Sequence, residues 1–244
     1  MKKTIDPTAI SVNKYISDQG FCSRREADKY IEQCRVEING ELALKGNRVN
    51  IGDTVTVDGE RLKQKNKKPI YIAFYKPRGI TTTTDITDKN NIISYINFSS
   101  RIFPIGRLDR PSEGLIFLTN NGDMVNLVLR AGNNHQKEYV VTVDKEITLD
   151  FILRMRNGMR IDGVQTHKCQ VNQLGKHKFK IILQQGIYRQ IRKMCELCEY
   201  HVTQLVRTRI MHLTIKGLAV GTWRYFTPDE IKQLEIAVAS SSKT

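Results

Sequence analysis

The sequence holds no run approaching the ~18–20 consecutive apolar residues that would span a bilayer. Its first residues, Met1-Lys2-Lys3-Thr4, carry the charge of a secretory leader, but Asp6 and Pro7 stand where the apolar stretch of such a leader would begin. A cytoplasmic protein with no membrane partner is expected. Cysteine is scarce. Cys22, Cys34, Cys169, Cys195 and Cys198 are an odd number with no secretory signal, so no disulfide framework is implied. Cys195-Glu196-Leu197-Cys198 has C-x-x-C spacing and His201 follows, yet a fourth zinc ligand has no candidate at a recognisable spacing. Ile191, Met194, Cys195 and Cys198 recur with helical period instead, so these thiols are expected to pack. Also missing are a Gly-Lys-Ser phosphate loop, a G-x-G-x-x-G dinucleotide turn, a His-x-x-x-His pair and a serine in a nucleophile elbow. No cofactor and no metal is expected.

Acidic residues are few as well, 25 against 39 Lys plus Arg, for a net charge of +14. Residues 1–68 hold 14 basic and 10 acidic side chains, which leaves +10 for residues 69–244. The excess is spread along the chain with no detachable basic tail. That suits an extended footprint on nucleic acid, although basicity also serves plain solubility.

What is present reads as two α+β segments. Ser23-Arg24-Arg25-Glu26 is a capping box, and the helix it opens puts Ala27, Tyr30, Ile31 and Cys34 on one face. A shorter helix precedes it at 11–16. Val36-Glu37-Ile38 alternates like a strand and ends at Asn39-Gly40, a two-residue hairpin signal, and β patterning continues to Val57. Residues 61–69 lose periodicity, become cationic and end at Pro69, and so read as a linker. Beyond it, strands are expected at 70–75, 114–118, 138–143, 169–174, 179–183 and 202–215, the last one bent. Helices are expected at 123–129, 149–155 and 189–198, with a final one opened by the second capping box, Thr227-Pro228-Asp229-Glu230. Successive strands with interspersed helices favour a mixed, mostly antiparallel sheet.

Gly106-Arg107-Leu108-Asp109-Arg110-Pro111-Ser112-Glu113-Gly114-Leu115 is the most unusual stretch. Glycines bracket an aspartate with an arginine on either side. Nearby cations favour the ionised carboxylate that a nucleophile or base requires, but a surface turn with a solvated ion pair has the same composition. Lys137-Glu138-Tyr139 opens an apolar strand and offers a ring that either stacks on a base or ends a sheet. Gly186-Ile187-Tyr188-Arg189-Gln190-Ile191-Arg192-Lys193-Met194 starts a basic helix whose Arg189, Arg192 and Lys193 either face phosphate or form a solvated face. Arg207 and Arg209 extend the same charge.

The G-R-L-D-x-x-S-x-G-L stretch, the K-x-Y-x-V strand and the R-Q-I-R-K-M helix resemble the bacterial ribosomal pseudouridine synthases of the RsuA type. Residues 9–60 look like an S4 RNA-binding domain, carried by Lys14-Tyr15-Ile16, Ser23-Arg24-Arg25-Glu26-Ala27-Asp28, Arg35-Val36-Glu37-Ile38-Asn39-Gly40, Gly52-Asp53 and Val57-Asp58-Gly59. The variants at 109–114 and 131–139 look most like the RluF-type branch, which acts on large-subunit ribosomal RNA.

The resemblance implies a catalytic domain over 70–238 that isomerises uridine to pseudouridine in 23S ribosomal RNA without a cofactor, with a transfer RNA as a second candidate substrate and a monomer as the working form. It implies that Asp109 attacks the target nucleotide, Arg107 holds it out of the RNA stack, Tyr139 packs against the base and Arg192 pairs with the aspartate. Lys76-Pro77-Arg78-Gly79 resembles a structural motif of the family. Lys14, Arg24, Arg25, Arg35, Arg189, Lys193 and Arg207 would contact RNA phosphates. Val12, Cys34, Gln185 and Lys193 depart from the pattern, Cys34 by replacing the glycine usual at a helix end. Two other readings of the same residues are a non-catalytic S4 assembly factor and a nucleoside hydrolase using Asp109.

Overall fold

The structure, a computed structural model, describes residues 8–63, 68–129 and 135–239. Residues 64–67 of the expected linker and 131–134 of the 131–139 motif lie outside the described residues. The chain divides between Lys68 and Pro69 into two units.

In the first unit, helices Val12–Asp18 and Arg24–Glu32 pack over a small antiparallel sheet with the order Glu41–Leu42, Val36–Ile38, Val55–Val57, Glu60–Arg61. The second helix starts where its capping box places it. Glu26 N–H donates to Ser23 Oγ at 3.1 Å and Ser23 N–H to Glu26 Oε2 at 2.8 Å. Its apolar face, Ala27 and Ile31, meets Val12, Ile16, Val36, Val55 and Val57, all buried. Cys34 does not share that face. It is exposed and takes the left-handed conformation, φ 57°, that ends the helix, so the turn keeps the shape glycine usually gives it. Asn39 and Gly40 both have positive φ, as the two-residue hairpin requires. Residues 61–69 are not wholly a linker: Arg61 pairs with Thr56 in the sheet and Leu62 packs on this core.

The second unit is built on one large mixed sheet. Its strands run in the order Gln170–Gly175, Lys178–Leu183, Lys137–Val143, Val202–Ile210, Glu113–Thr119, Tyr71–Lys76, Trp223–Tyr225. Every pair is antiparallel except Val202–Ile210 against Glu113–Thr119, which is parallel. That exception shapes the molecule. Val202–Ile210 pairs with its neighbour only at Glu113 and Gly114, and Phe103–Ile105 takes over the same edge from Phe117 to Thr119. The sheet opens between those two partners, and the connection from Ile105 to Glu113 crosses there.

Among the described residues three apolar clusters hold the sheet: Ile72, Phe74, Ile92, Ile116 and Leu118 form the first, and two more complete it. One joins Phe151, Phe179, Met194, Cys195 and Cys198, so the C-x-x-C thiols are core residues, and burial pushes the Cys195 thiol up. The other joins Leu115, Phe117, Val128, Phe226 and Leu234 of the closing helix Pro228–Ala239. Glu230 N–H donates to Thr227 Oγ1 at 3.2 Å and Thr227 N–H to Glu230 Oε2 at 2.8 Å, completing the second capping box. The long strand expected over 202–215 ends at Ile210: the chain turns at Met211, which has φ 52°, and Leu213–Thr214 pairs back on it antiparallel. The short elements Ile92–Ile96, Phe103–Ile105 and Trp223–Tyr225 have too few residues to show a period in the sequence.

Candidate active site

Asp109 lies on the 106–112 connection, which is pinned mainly through its backbone. Ser112 N–H closes a turn onto Asp109 O at 2.9 Å. Leu108 N–H donates to Thr82 Oγ1, whose hydroxyl donates to Leu108 O at 2.8 Å. Gly79 N–H donates to Arg110 O at 2.8 Å, and Arg110 Nε returns a bond to Gly79 O at 3.1 Å. The 76–80 segment is itself held by the buried Lys76 ammonium, which donates to Pro77 O and Ile80 O at 2.8 Å each.

Two buried arginines brace the loop from below. Arg192, 8% exposed, donates through Nη2 to Ser112 Oγ at 3.1 Å and Pro111 O at 3.4 Å, and through Nη1 to Val202 O at 3.1 Å. Arg207, 3% exposed, donates through Nε to Leu115 O at 2.6 Å and through Nη1 to Arg107 O at 3.3 Å. One nitrogen of each, Arg192 Nε and Arg207 Nη2, is buried without a partner among the described residues. Burial lowers the Arg192 pKa, Arg189 adds to the fall and Asp109 opposes it. Gly114 makes the close packing possible: it has φ 115°, and a Cβ there would sit 2.4 Å from Arg207 O and 2.5 Å from Arg207 N.

Arg207 and Arg209 do not form one basic face. Tyr139 pairs with Arg207 and Glu138 with Arg209, so Thr208 is an extra residue on that strand. The bulge sends two side chains that would share a face to opposite sides. Arg207 turns to the side of Tyr139, whereas Arg209 meets the Glu138 carboxylate at 3.8 Å.

The loop borders a cleft of about 810 Å³, within the range of small-ligand sites. Asp109, Arg107, Tyr139, Arg189, Arg192 and Arg207 all line it. Residues separated by up to 100 positions are thus brought together. Asp109 is half-buried and Arg107 exposed. The expected pairing of Arg192 with Asp109 is not what the structure shows: among the described residues Arg192 spends its hydrogen bonds on Pro111, Ser112 and Val202. Its charge still reaches the carboxylate through space. Arg207 is a buried brace, not a surface phosphate contact. Lys193 stands outside the cleft, ion-paired with Asp162, its ammonium 5.2 Å from the Tyr188 ring centre. In the first unit Lys14 pairs with Asp18 at 2.7 Å, and Arg35 makes a two-pronged pair with Asp58 and sits 4.3 Å over Tyr30. Arg24 and Arg25 are exposed, with Arg24 reaching Asn13 at 3.5 Å.

Sequence reasoning missed Thr82, whose hydroxyl serves both backbone groups of Leu108, and Lys137, which shares the cleft. The first carried no signal. The second had one, since Lys137 stands two residues before Tyr139 and therefore on its face of the strand. The arrangement offers a carboxylate on a fixed loop, a ring beside it and an excess of cations. It fits a polyanionic substrate with one reacting unit inserted into the cleft.

Residues 70–197 match the RNA pseudouridylate synthase family, and residues 12–55 match the S4 domain. The chain belongs to the RNA pseudouridylate synthase family. The synthase is 49% identical over 236 residues to the dual-specificity RNA pseudouridine synthase RluF of Escherichia coli K12, covering 96% of this chain and 81% of that one. It is 32% identical over 241 residues to the ribosomal large subunit pseudouridine synthase B of Bacillus subtilis, covering 95% and 98%. Its fold matches the crystal structure of a pseudouridylate synthase with a TM-score of 0.67 at 24% identity, over 92% of this chain and 99% of that one. The synthase is therefore an RNA-modifying isomerase of the RsuA type, with an S4 domain ahead of its catalytic domain. Among the described residues no helix is long and apolar enough to cross a membrane.

Proposed function

We propose that this enzyme converts a specific uridine of 23S ribosomal RNA to pseudouridine, that a transfer RNA is a second substrate, and that it works as a cytoplasmic monomer. Asp109 is the nucleophile. The observation that carries this assignment is the placement of its half-buried carboxylate, on a loop fixed by backbone hydrogen bonds, in one cleft with Tyr139 and four arginines. The names of the relatives support the substrate: one is called dual-specificity and another a large-subunit enzyme.

The residues divide the work. A base buried in an RNA helix must be extruded before its ring is reached, at a cost of a few kcal/mol. Arg107, exposed at the cleft rim, fills the place the uridine leaves in the stack. Tyr139 packs on the extruded base. Asp109 attacks, the base detaches, turns and rejoins through carbon. Arg192 acts through the loop, holding Pro111 and Ser112 so that Asp109 is aimed, and contributes its charge at longer range. Arg189, at the start of the Gln190–Leu197 helix, lines the same cleft and meets phosphate.

Carbodiimide mapping of pseudouridines in ribosomal and transfer RNA, from cells with and without this gene, tests the substrate. Loss of one 23S site and one transfer RNA site is expected on deletion, and an unchanged map of both would overturn the assignment. The S4 unit supplies phosphate contacts. Arg24→Ala combined with Arg25→Ala is expected to weaken RNA binding and to lower the slope of log K against log salt by about 1–2, one lost phosphate contact per arginine. Filter binding across a salt series measures it, and an unaltered slope would move the footprint elsewhere.

A further inference from the structure

Thr82 grips the Asp109 loop from outside it. It is the second of four consecutive threonines, Thr81 to Thr84, and of the four it is the one buried, at 7% exposed. Its hydroxyl donates to Leu108 O at 2.8 Å and accepts from Leu108 N–H at 3.2 Å. One oxygen serves both groups because a hydroxyl carries one hydrogen and two lone pairs. Among the described residues the Leu108 backbone has no other partner.

The segment that carries Thr82 is itself held. Thr81 N–H donates to Asn90 O and Ile92 N–H to Thr81 O, both at 2.9 Å, and Asn91 and Ile92 are fully buried. Ile80 O, on the preceding side, accepts from the Lys76 ammonium at 2.8 Å. Branching at Cβ restricts rotation of the Thr82 side chain, so the direction of its hydroxyl follows from this backbone.

Asp109 follows Leu108 directly. Peptide units are planar, so the direction of the Asp109 Cα–Cβ bond is set once the planes before and after it are set. The plane after it is held by Ser112 N–H on Asp109 O at 2.9 Å, a bond within the loop that travels with the loop. The plane before it contains Leu108 O, which Thr82 holds from another part of the chain. Gly79, Arg78 and Arg192 tie residues 110–112 to the frame. On the N-terminal side, Arg207 meets Arg107 O at the longer distance of 3.3 Å. With both planes fixed, χ1 and χ2 are the torsions left to the carboxylate. We infer that Thr82 is a positioning residue for the reaction, its hydroxyl fixing the peptide plane from which the Asp109 carboxylate is aimed at the target nucleotide. This rests on Asp109 being the nucleophile, and Thr82 takes no part in bond making.

The test uses the full chain, with 23S ribosomal RNA transcribed with tritium at uridine C5 as substrate. Thr82→Val keeps the shape of the side chain and removes the hydroxyl, whereas Thr82→Ser keeps the hydroxyl and removes the methyl. Each is assayed in single turnover over a range of enzyme excess. The rate constant at saturation then reports folded molecules alone, and any loss of folded protein raises the half-saturating enzyme concentration. Thr82→Val is expected to lower the rate constant about 10–10²-fold, the cost of misplacing a reacting group by about 1 Å, with half-saturation and filter-binding affinity within about twofold of wild type. Thr82→Ser is expected to restore the rate constant to within about fivefold of wild type. Thr82→Ala leaves room for water beside the Leu108 peptide and guards against a valine variant that fails to fold. It is expected to fall with valine and not with serine. A role in folding alone predicts instead an unchanged rate constant reached at higher enzyme concentration, or weaker RNA binding. Either would overturn the inference, as would equal losses in Thr82→Ser and Thr82→Ala, or a Thr82→Val or Thr82→Ala rate constant within about threefold of wild type. Tritium release by Asp109→Asn would instead remove the nucleophile on which the inference rests, and a wild type that releases none from this RNA would remove the substrate reading.

Discussion

Replacing Asp109 by asparagine is expected to abolish pseudouridine formation while leaving RNA binding intact. The two side chains have the same shape, and the loop is held by groups other than the Asp109 carboxylate: Ser112 N–H bonds Asp109 O, Thr82 bonds Leu108, and Gly79 bonds Arg110. The fold therefore has no reason to move. What disappears is the anionic oxygen that attacks, and an amide has no comparable nucleophilicity, so kcat is expected to fall at least about 10⁴-fold. Tritium release from RNA labelled at uridine C5 measures the first quantity and filter binding the second. A variant that still converts uridine would place the nucleophile elsewhere. Free uracil released by the wild type would favour the hydrolase chemistry that the same loop composition allows.

Gly114→Ala is expected to have the largest effect on stability. The position has φ 115°, which a side chain tolerates poorly, and the new Cβ would stand 2.4 Å from one backbone atom of Arg207 and 2.5 Å from another. Backbone cannot swing aside as the tip of a long side chain can. The two strands would have to separate at one of only two residue pairs that join them. A loss of about 3–5 kcal/mol is expected from strain and lost pairing together, lowering Tm by about 10 °C for a unit of this size. The Arg207 hydrogen bonds to Leu115 O and Arg107 O depend on the same contact. Whatever enzyme remains folded is therefore expected to lose activity too. Thermal unfolding followed by circular dichroism measures the shift, and a Tm within about 2 °C of wild type would show that the junction yields without cost.

Much of the fold was legible because it is written in short-range chemistry. Ser23 with Glu26, and Thr227 with Glu230, place two helix starts because each box satisfies backbone donors within one turn. Asn39-Gly40 fixes its hairpin because both residues tolerate positive φ. Cys34 misled the helical reading because left-handed geometry was forced on a residue that seldom adopts it. In the site, Asp109, Arg107 and Tyr139 were found from motif chemistry, whereas Lys137 was passed over because its place in the cleft cannot be read from one lysine in a strand.

By itself the sequence determined the class of partner, the two α+β units and the aspartate most worth testing, since net charge, periodicity and local capping are properties of neighbouring residues. Only the tertiary structure decided what the arginines do. Arg192 and Arg207 looked like members of basic surfaces. One parallel strand pairing and one extra residue at Thr208 turned Arg207 inward, and the Arg192 guanidinium was taken up by the backbone of the loop it supports. Side-chain direction in a sheet depends on register, and register is set by partners far away in the chain. The position of Asp109 could be read from its neighbours in sequence, but what holds it in place could not.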